Sequence, residues 1–130
     1  MTLNVLIVED DFFIALDLED LVRGLGHQVT GVARDVEGCK ATAATAVPDV
    51  ALMDLRLAGG SSGIDASRWL YDTLRVRCIF VSGNLDDATR AELAPVDPIA
   101  FIGKPILPHL LENELSNFCT QQLLKSDQRQ

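Results

Sequence analysis

Short apolar, β-branched runs alternate with longer amphipathic segments along this chain, and that alternation restricts its fold more than any other feature of the sequence. Asn4 to Val8 is almost wholly apolar, as a strand buried on both faces of a parallel sheet must be. Further strands are expected at Gln28 to Ala33, weakened by Gly31, and at Val50 to Met53, Cys78 to Val81 and Ala100 to Ile102. Between them the spacing predicts a helix from Phe12 to Leu25. Its apolar positions are Phe13, Leu16, Leu18, Leu21 and Leu25, with Asp11 as N-cap and Gly26 as its stop. A second helix follows Asp35 and runs to about Thr45, a third spans Ile64 to Leu74, and a short fourth covers Asp86 to Ala94 before Pro95 and Pro98. The last helix runs from Leu107 to Leu124, with Leu107, Leu111, Leu115 and Phe118 as its apolar stripe, and a polar tail, 125–130, frays beyond it. Five strands alternating with five helices imply right-handed crossovers and a doubly wound α/β fold.

A chain of 130 residues is the size of one domain, without repeats or a linker. Its formal net charge of −8 repels phosphate backbones, so no direct binding to nucleic acid or to an anionic membrane is expected. No apolar run approaches the roughly 18 residues that read as a bilayer span, and no secretory signal is visible. Cys39, Cys78 and Cys119 are odd in number and widely spaced, which fits a reducing cytoplasm and argues against a disulfide framework or a zinc site.

In an open parallel sheet, ligands bind at the carboxyl ends of the strands. Here the first strand ends in Glu9-Asp10-Asp11, the third in Asp54, the fourth in Ser82-Gly83 and the fifth in Gly103-Lys104-Pro105. Singly, each has an ordinary explanation: acids cap helices, serines belong to turns and lysines are solvated. Their convergence on one edge is harder to obtain by accident. Clustered carboxylates repel unless a cation is present, and hard oxygen ligands suit Mg²⁺. One carboxylate can then act as nucleophile, with Lys104 and Ser82 supplying a cation and a hydroxyl to a transferring phosphoryl group.

The set V-E-D-D at Val8 to Asp11, M-D-L-R at Met53 to Arg56, V-S-G at Val81 to Gly83 and G-K-P at Gly103 to Pro105 resembles the receiver domains of bacterial response regulators over nearly the whole chain. That resemblance implies a flavodoxin-like (βα)₅ fold with strand order 2-1-3-4-5, spanning residues 4–124. It implies that Asp54 accepts a phosphoryl group from the phosphohistidine of a histidine kinase or phosphotransfer protein. Glu9, Asp10 and Asp54 would hold Mg²⁺, with the backbone carbonyl of Arg56 as a further ligand. Lys104 would contact the phosphoryl group, the Lys104–Pro105 bond would be cis, and Ser82 and Phe101 would form a switch pair. Output would pass through the face of the fourth helix, fifth strand and fifth helix to a downstream protein target, and a homodimer through that face is admitted. Such a domain signals rather than turning over a substrate. With no room for an output domain, a stand-alone receiver is expected, though a segment of a longer regulator or hybrid kinase would look the same.

Phe101 lacks the hydroxyl of a tyrosine, Pro95 and Pro98 replace a short turn, and the loop Ala58 to Ser62 lacks a proline common in the family. A flavoprotein would want a Ser/Thr/Gly-rich phosphate loop where this chain has carboxylates. A haloacid-dehalogenase-type phosphatase would want a second acid at the position of Arg56. A degenerate receiver serving only as a docking module stays open, against the retention of the acids, Ser82 and Lys104. His27, His109 and Trp69 read as surface or packing residues, and Cys78 as buried and inert.

Overall fold

The computed structural model describes residues 1–128. Five strands, β1 (Asn4–Val8), β2 (Gln28–Ala33), β3 (Val50–Met53), β4 (Arg77–Ser82) and β5 (Ala100–Gly103), form one parallel sheet in the order β2-β1-β3-β4-β5. Five helices connect and follow them: α1 (Phe12–Gly24), α2 (Val36–Thr45), α3 (Gly63–Leu74), α4 (Asp87–Leu93) and α5 (Pro108–Gln128). The flavodoxin-like expectation holds, and the predicted elements agree with those observed to within a few residues at their ends.

Because side chains alternate across a strand, each apolar run feeds two cores. Leu6 and Val8 of β1, Met53 of β3 and Phe80 of β4 pack against α2, α3 and the end of α4 through Cys39, Ala43, Leu70 and Leu93. Val5 and Ile7, with Leu52 and Ile79, face the other way onto Leu18 and Val22 of α1 and Leu111, Leu115 and Phe118 of α5. The strands β1, β3 and β4 read as nearly continuous apolar runs because helices cover both faces.

Gly31, which weakened the reading of β2, has a packing reason. A Cβ there would lie 2.5 Å from Cγ2 of Thr42 on α2. The register of β1 against β2 shifts at this point, from Val5↔Val29 to Leu6↔Gly31. The glycine lets α2 sit close on a bulged edge strand.

Three sequence expectations need correction. On α1 the buried residues are Ala15, Leu18 and Val22, with Ile14, Leu21 and Leu25 packed beside them. Phe13 and Leu16, assigned to the stripe, are 75% and 44% exposed. One turn on, their row meets Asp17 and Asp20, whereas the face through Ala15, Leu18 and Val22, flanked by Ile14, Leu21 and Leu25, stays apolar along the helix. On α5, Leu107 precedes the helix and is exposed, whereas Leu111, Leu115 and Phe118 are buried as expected. The helix also continues through Gln128, so most of the expected tail is helical, and Arg129 and Gln130 lie outside the described residues.

His27 is more than a surface residue: its Nδ1 accepts a 3.0 Å hydrogen bond from the backbone N–H of buried Leu3. Burial, and the nearby N-terminal charge, lower its pKa from the usual imidazole value. Cys78 is buried on its central strand, and burial drives its thiol pKa far up, which matches the inert reading. Burial likewise pushes Cys39 up to about 12.

Candidate functional site

The sheet continues one residue past several strands, and this extension fixes the site. The Glu9 N–H donates to Ala33 O at 2.9 Å, the Asp54 N–H to Val8 O at 2.9 Å, and the Lys104 N–H to Ser82 O at 3.0 Å. Each chemically active side chain therefore leaves a backbone held by its neighbouring strand. The result is a cleft of about 450 Å³ lined by Glu9, Asp10, Asp54, Arg56, Ser82 and Lys104, with Asp11, Ile14, Gly83 and Asn84 completing its walls. A larger, mainly apolar hollow of about 770 Å³ lies between α1 and the β5–α5 connection, with Lys104 on its rim, but Glu9, Asp10 and Asp54 all belong to the smaller cleft.

Glu9 and Asp54 are 2% and 6% exposed. Burying two carboxylates side by side is costly unless they are paired. Lys104 provides the pairing: its Nζ donates to Glu9 Oε2 at 3.0 Å and lies 3.3 Å from Asp54 Oδ2. Burial raises the Glu9 pKa and the Asp54 charge adds to the rise, while the hydrogen bonds from Lys104 and the Asp11 N–H oppose it. For Lys104, burial disfavours the charge, but the hydrogen bond to Glu9 and the charges of both carboxylates outweigh it and raise its pKa. Three acids against one lysine leave an excess of negative charge. One carboxylate oxygen each from Glu9, Asp10 and Asp54 lie within 4.8 Å of one another, a donor set that fits a hard divalent cation.

Asp11 caps α1 by accepting from the N–H groups of Phe13 and Ile14, so it serves the helix while its neighbours face the cleft. The Arg56 N–H donates to Asp54 Oδ1 at 3.3 Å, and Arg56 pairs with Ser62 in an isolated antiparallel bridge that folds the loop after β3. Ser82 is buried, and its Oγ accepts from the Asn84 N–H at 3.3 Å. The Lys104–Pro105 peptide is cis. Phe101 is half-buried and lies apart from the cleft, its ring stacked on Phe80 with centroids 5.5 Å apart. The structure thus brings six of the sequence-selected residues into one cleft and sets Phe101 behind it.

A family model for the response regulator receiver domain matches residues 5–116. The chain belongs to the response regulator receiver family. This receiver is 41% identical over 109 residues to the phyllosphere-induced regulator PhyR of Methylorubrum extorquens, an alignment that covers 83% of the chain. It spans only 40% of that regulator's length. Among solved structures it is similar to the receiver domain of Erythrobacter litoralis PhyR, at 33% identity and a TM-score of 0.78, over 92% of this chain and 91% of that one. It is also similar to the receiver domain of a modulated diguanylate cyclase from Desulfovibrio desulfuricans, at 27% identity and a TM-score of 0.86, over 96% and 99% of the two chains.

Sequence reasoning passed over Gly63. A Cβ there would stand 2.0 Å from the carbonyl oxygen of Asp54 and 2.7 Å from Leu55 Cα. The glycine allows α3 to begin directly against the end of β3, where the Gly63 N–H donates to Leu55 O at 3.0 Å. Its signal was a glycine immediately after the Ser62 N-cap, where a helix former would be ordinary. Arg90 was also missed. Its guanidinium carbon lies 4.6 Å from the Phe101 ring centroid, and nothing in the sequence sets it apart from any solvated helical arginine.

Proposed function

We propose that Asp54 accepts a phosphoryl group from the phosphohistidine of a histidine kinase or histidine phosphotransfer protein. The observation that carries the reading is the arrangement of the Asp54 carboxylate, buried yet lining the cleft, with Lys104 at 3.3 Å and Glu9 and Asp10 beside it. An Asp54 oxygen attacks phosphorus, the phosphorus–nitrogen bond of the donor breaks, and the imidazole leaves with the electron pair. Glu9, Asp10, Asp54 and the backbone carbonyl of Arg56 would hold Mg²⁺, which would supply the charge neutralisation that lets these anions approach. Lys104 exchanges a carboxylate partner for a phosphoryl oxygen. Ser82, at the opposite wall, donates its hydroxyl to another, and open space beside Gly83 admits the donor side chain.

In this reading residues 4–124 form the receiver, a cytoplasmic signalling domain rather than a turnover enzyme. Among the described residues no helix is long and apolar enough to cross a membrane. Ser82 and Phe101 transmit the phosphorylated state to the surface of α4, β5 and α5, which binds a downstream protein or a second copy of the chain. The likeness to Bartonella quintana PhyR, described as an anti-anti-sigma factor, at 30% identity, supports a protein target of the anti-sigma type.

Calorimetric titration with Mg²⁺ and then beryllofluoride, a phosphoryl mimic, tests the site. Mg²⁺ should bind weakly and Asp10→Asn should weaken it further, and beryllofluoride should bind only with both Mg²⁺ and Asp54 present. Beryllofluoride binding of equal strength in Asp54→Ala would overturn it.

A further inference from the structure

The wall of the cleft formed by the β4–α4 loop is fastened from behind by one side chain. Arg90, on the exposed side of α4, donates from Nε to the carbonyl oxygen of Leu85 at 3.2 Å. The same guanidinium covers the outer face of Phe101, whose ring is stacked on Phe80 with an interplanar angle of 20°. Phe80, Arg90 and Phe101 thus join β4, α4 and β5 in one stack, and the hydrogen bond ties that stack to the loop. The loop's other end is Ser82-Gly83-Asn84, which lines the acidic cleft. There the Ser82 hydroxyl oxygen accepts from the Asn84 N–H.

We propose that Arg90 is a positioning residue that holds the β4–α4 loop and the Phe101 ring in the anion-free arrangement, and so sets how readily the site takes an anion. The inference rests on the acceptor reading of Asp54. An anion added at Asp54 draws on the donors of this wall. If Ser82 rotates about its Cα–Cβ bond to donate to it, Oγ leaves the Asn84 N–H and the short turn from Ser82 to Asn84 loosens. The loop then pulls on Leu85, and Arg90 must give up its bond to that carbonyl or slide off the ring. The ligand works against the clasp, because the clasp is made in one state and not in the other. A cation–π contact at an exposed site is small, so the effect on affinity is a factor of about two to five.

The test compares beryllofluoride affinity, in saturating Mg²⁺, for the wild-type chain, Arg90→Ala and Arg90→Lys. Arg90→Ala is expected to bind about two- to fivefold tighter, and Arg90→Lys to lie between, because it keeps a cation over the ring but loses the planar fork. In the unliganded protein, amide exchange at Leu85, Asp86 and Phe101 should rise in Arg90→Ala. General destabilisation would loosen binding, so tighter binding together with faster local exchange supports the clasp. Equal or weaker binding by Arg90→Ala overturns this inference alone. Absence of beryllofluoride binding to the wild-type chain overturns the acceptor reading, and this inference with it.

Discussion

The two walls of the acidic cleft are built differently. On one side, Glu9 and Asp54 extend from β1 and β3, are almost wholly buried, and have backbone N–H groups bonded into neighbouring strands. Lys104 ties their carboxylates together, and α3 begins hard against the Asp54 carbonyl, with only a glycine fitting between. On the other side, Ser82 leads into an exposed loop and the seven-residue α4, which contributes Leu93 to the core. There the fastenings are a 3.3 Å bond from the Asn84 N–H to Ser82 Oγ and the contacts of exposed Arg90. A group that must present a nucleophile gains from rigidity, and one that must report a change gains from weak fastenings. Under the proposed acceptor role of Asp54, that division would let one small domain do both.

The strongest way to break this contrast is Gly63→Ala. The added methyl meets backbone atoms rather than a flexible side chain, so the β3–α3 junction must shift. A loss of about 3 kcal/mol in urea unfolding is expected, the upper end for overpacking, with beryllofluoride binding lost through displacement of Asp54. A loss below about 0.5 kcal/mol, within ordinary surface variation, would show that the acid wall is softer than described.

Next in size is Lys104→Ala, which leaves Glu9 and Asp54 buried without their cation. Breaking a buried pair costs about 3–5 kcal/mol, and the side chain of Lys104 is 22% exposed, so about 2 kcal/mol is expected at neutral pH without metal. The cost should shrink in mild acid, because Glu9 can then take a proton.

The walls should also answer acid in opposite directions. The folded-state pKa of Glu9 is raised, so its contribution to stability is fully present below the unfolded value and is lost as pH rises through the folded one. Asp86 caps α4 by accepting from the Thr89 N–H, and hydrogen bonding with Thr89 lowers its pKa. Its contribution is present above the unfolded value and is lost as pH falls through the folded one. Carboxyl carbon NMR shifts followed against pH should show Glu9 titrating above the ordinary glutamate range and Asp86 below the ordinary aspartate range. The reverse order would remove the electrostatic half of the contrast.

The smallest effect should come from Phe13→Ser, on the α1 face that looks away from both cores. A stability change within about 0.5 kcal/mol is expected despite the loss of an aromatic ring.

That last residue shows where the sequence was legible and where it was not. The strands β1, β3 and β4 could be read because each is apolar on both faces, and the acids, Ser82 and Lys104 because they follow strand ends. Helical phase on α1 was harder: Phe13 and Leu16 start an apolar row as convincing as Ile14 and Ala15, and only the aspartates one turn later decide between them. Contacts between distant segments leave no local pattern. His27 meeting the Leu3 N–H, Arg90 over Phe101, and Gly63 against Asp54 depend on how the helices dock, which spacing along one helix does not encode.

The fate of Asp54 decides the matter, and intact mass before and after incubation with acetyl phosphate and Mg²⁺ measures it. The wild-type chain should gain the mass of one phosphoryl group, with the acyl phosphate mapping to Asp54. Asp54→Ala, its fold checked by circular dichroism, should gain none. An unchanged wild-type mass, or the same gain in Asp54→Ala, would contradict the account.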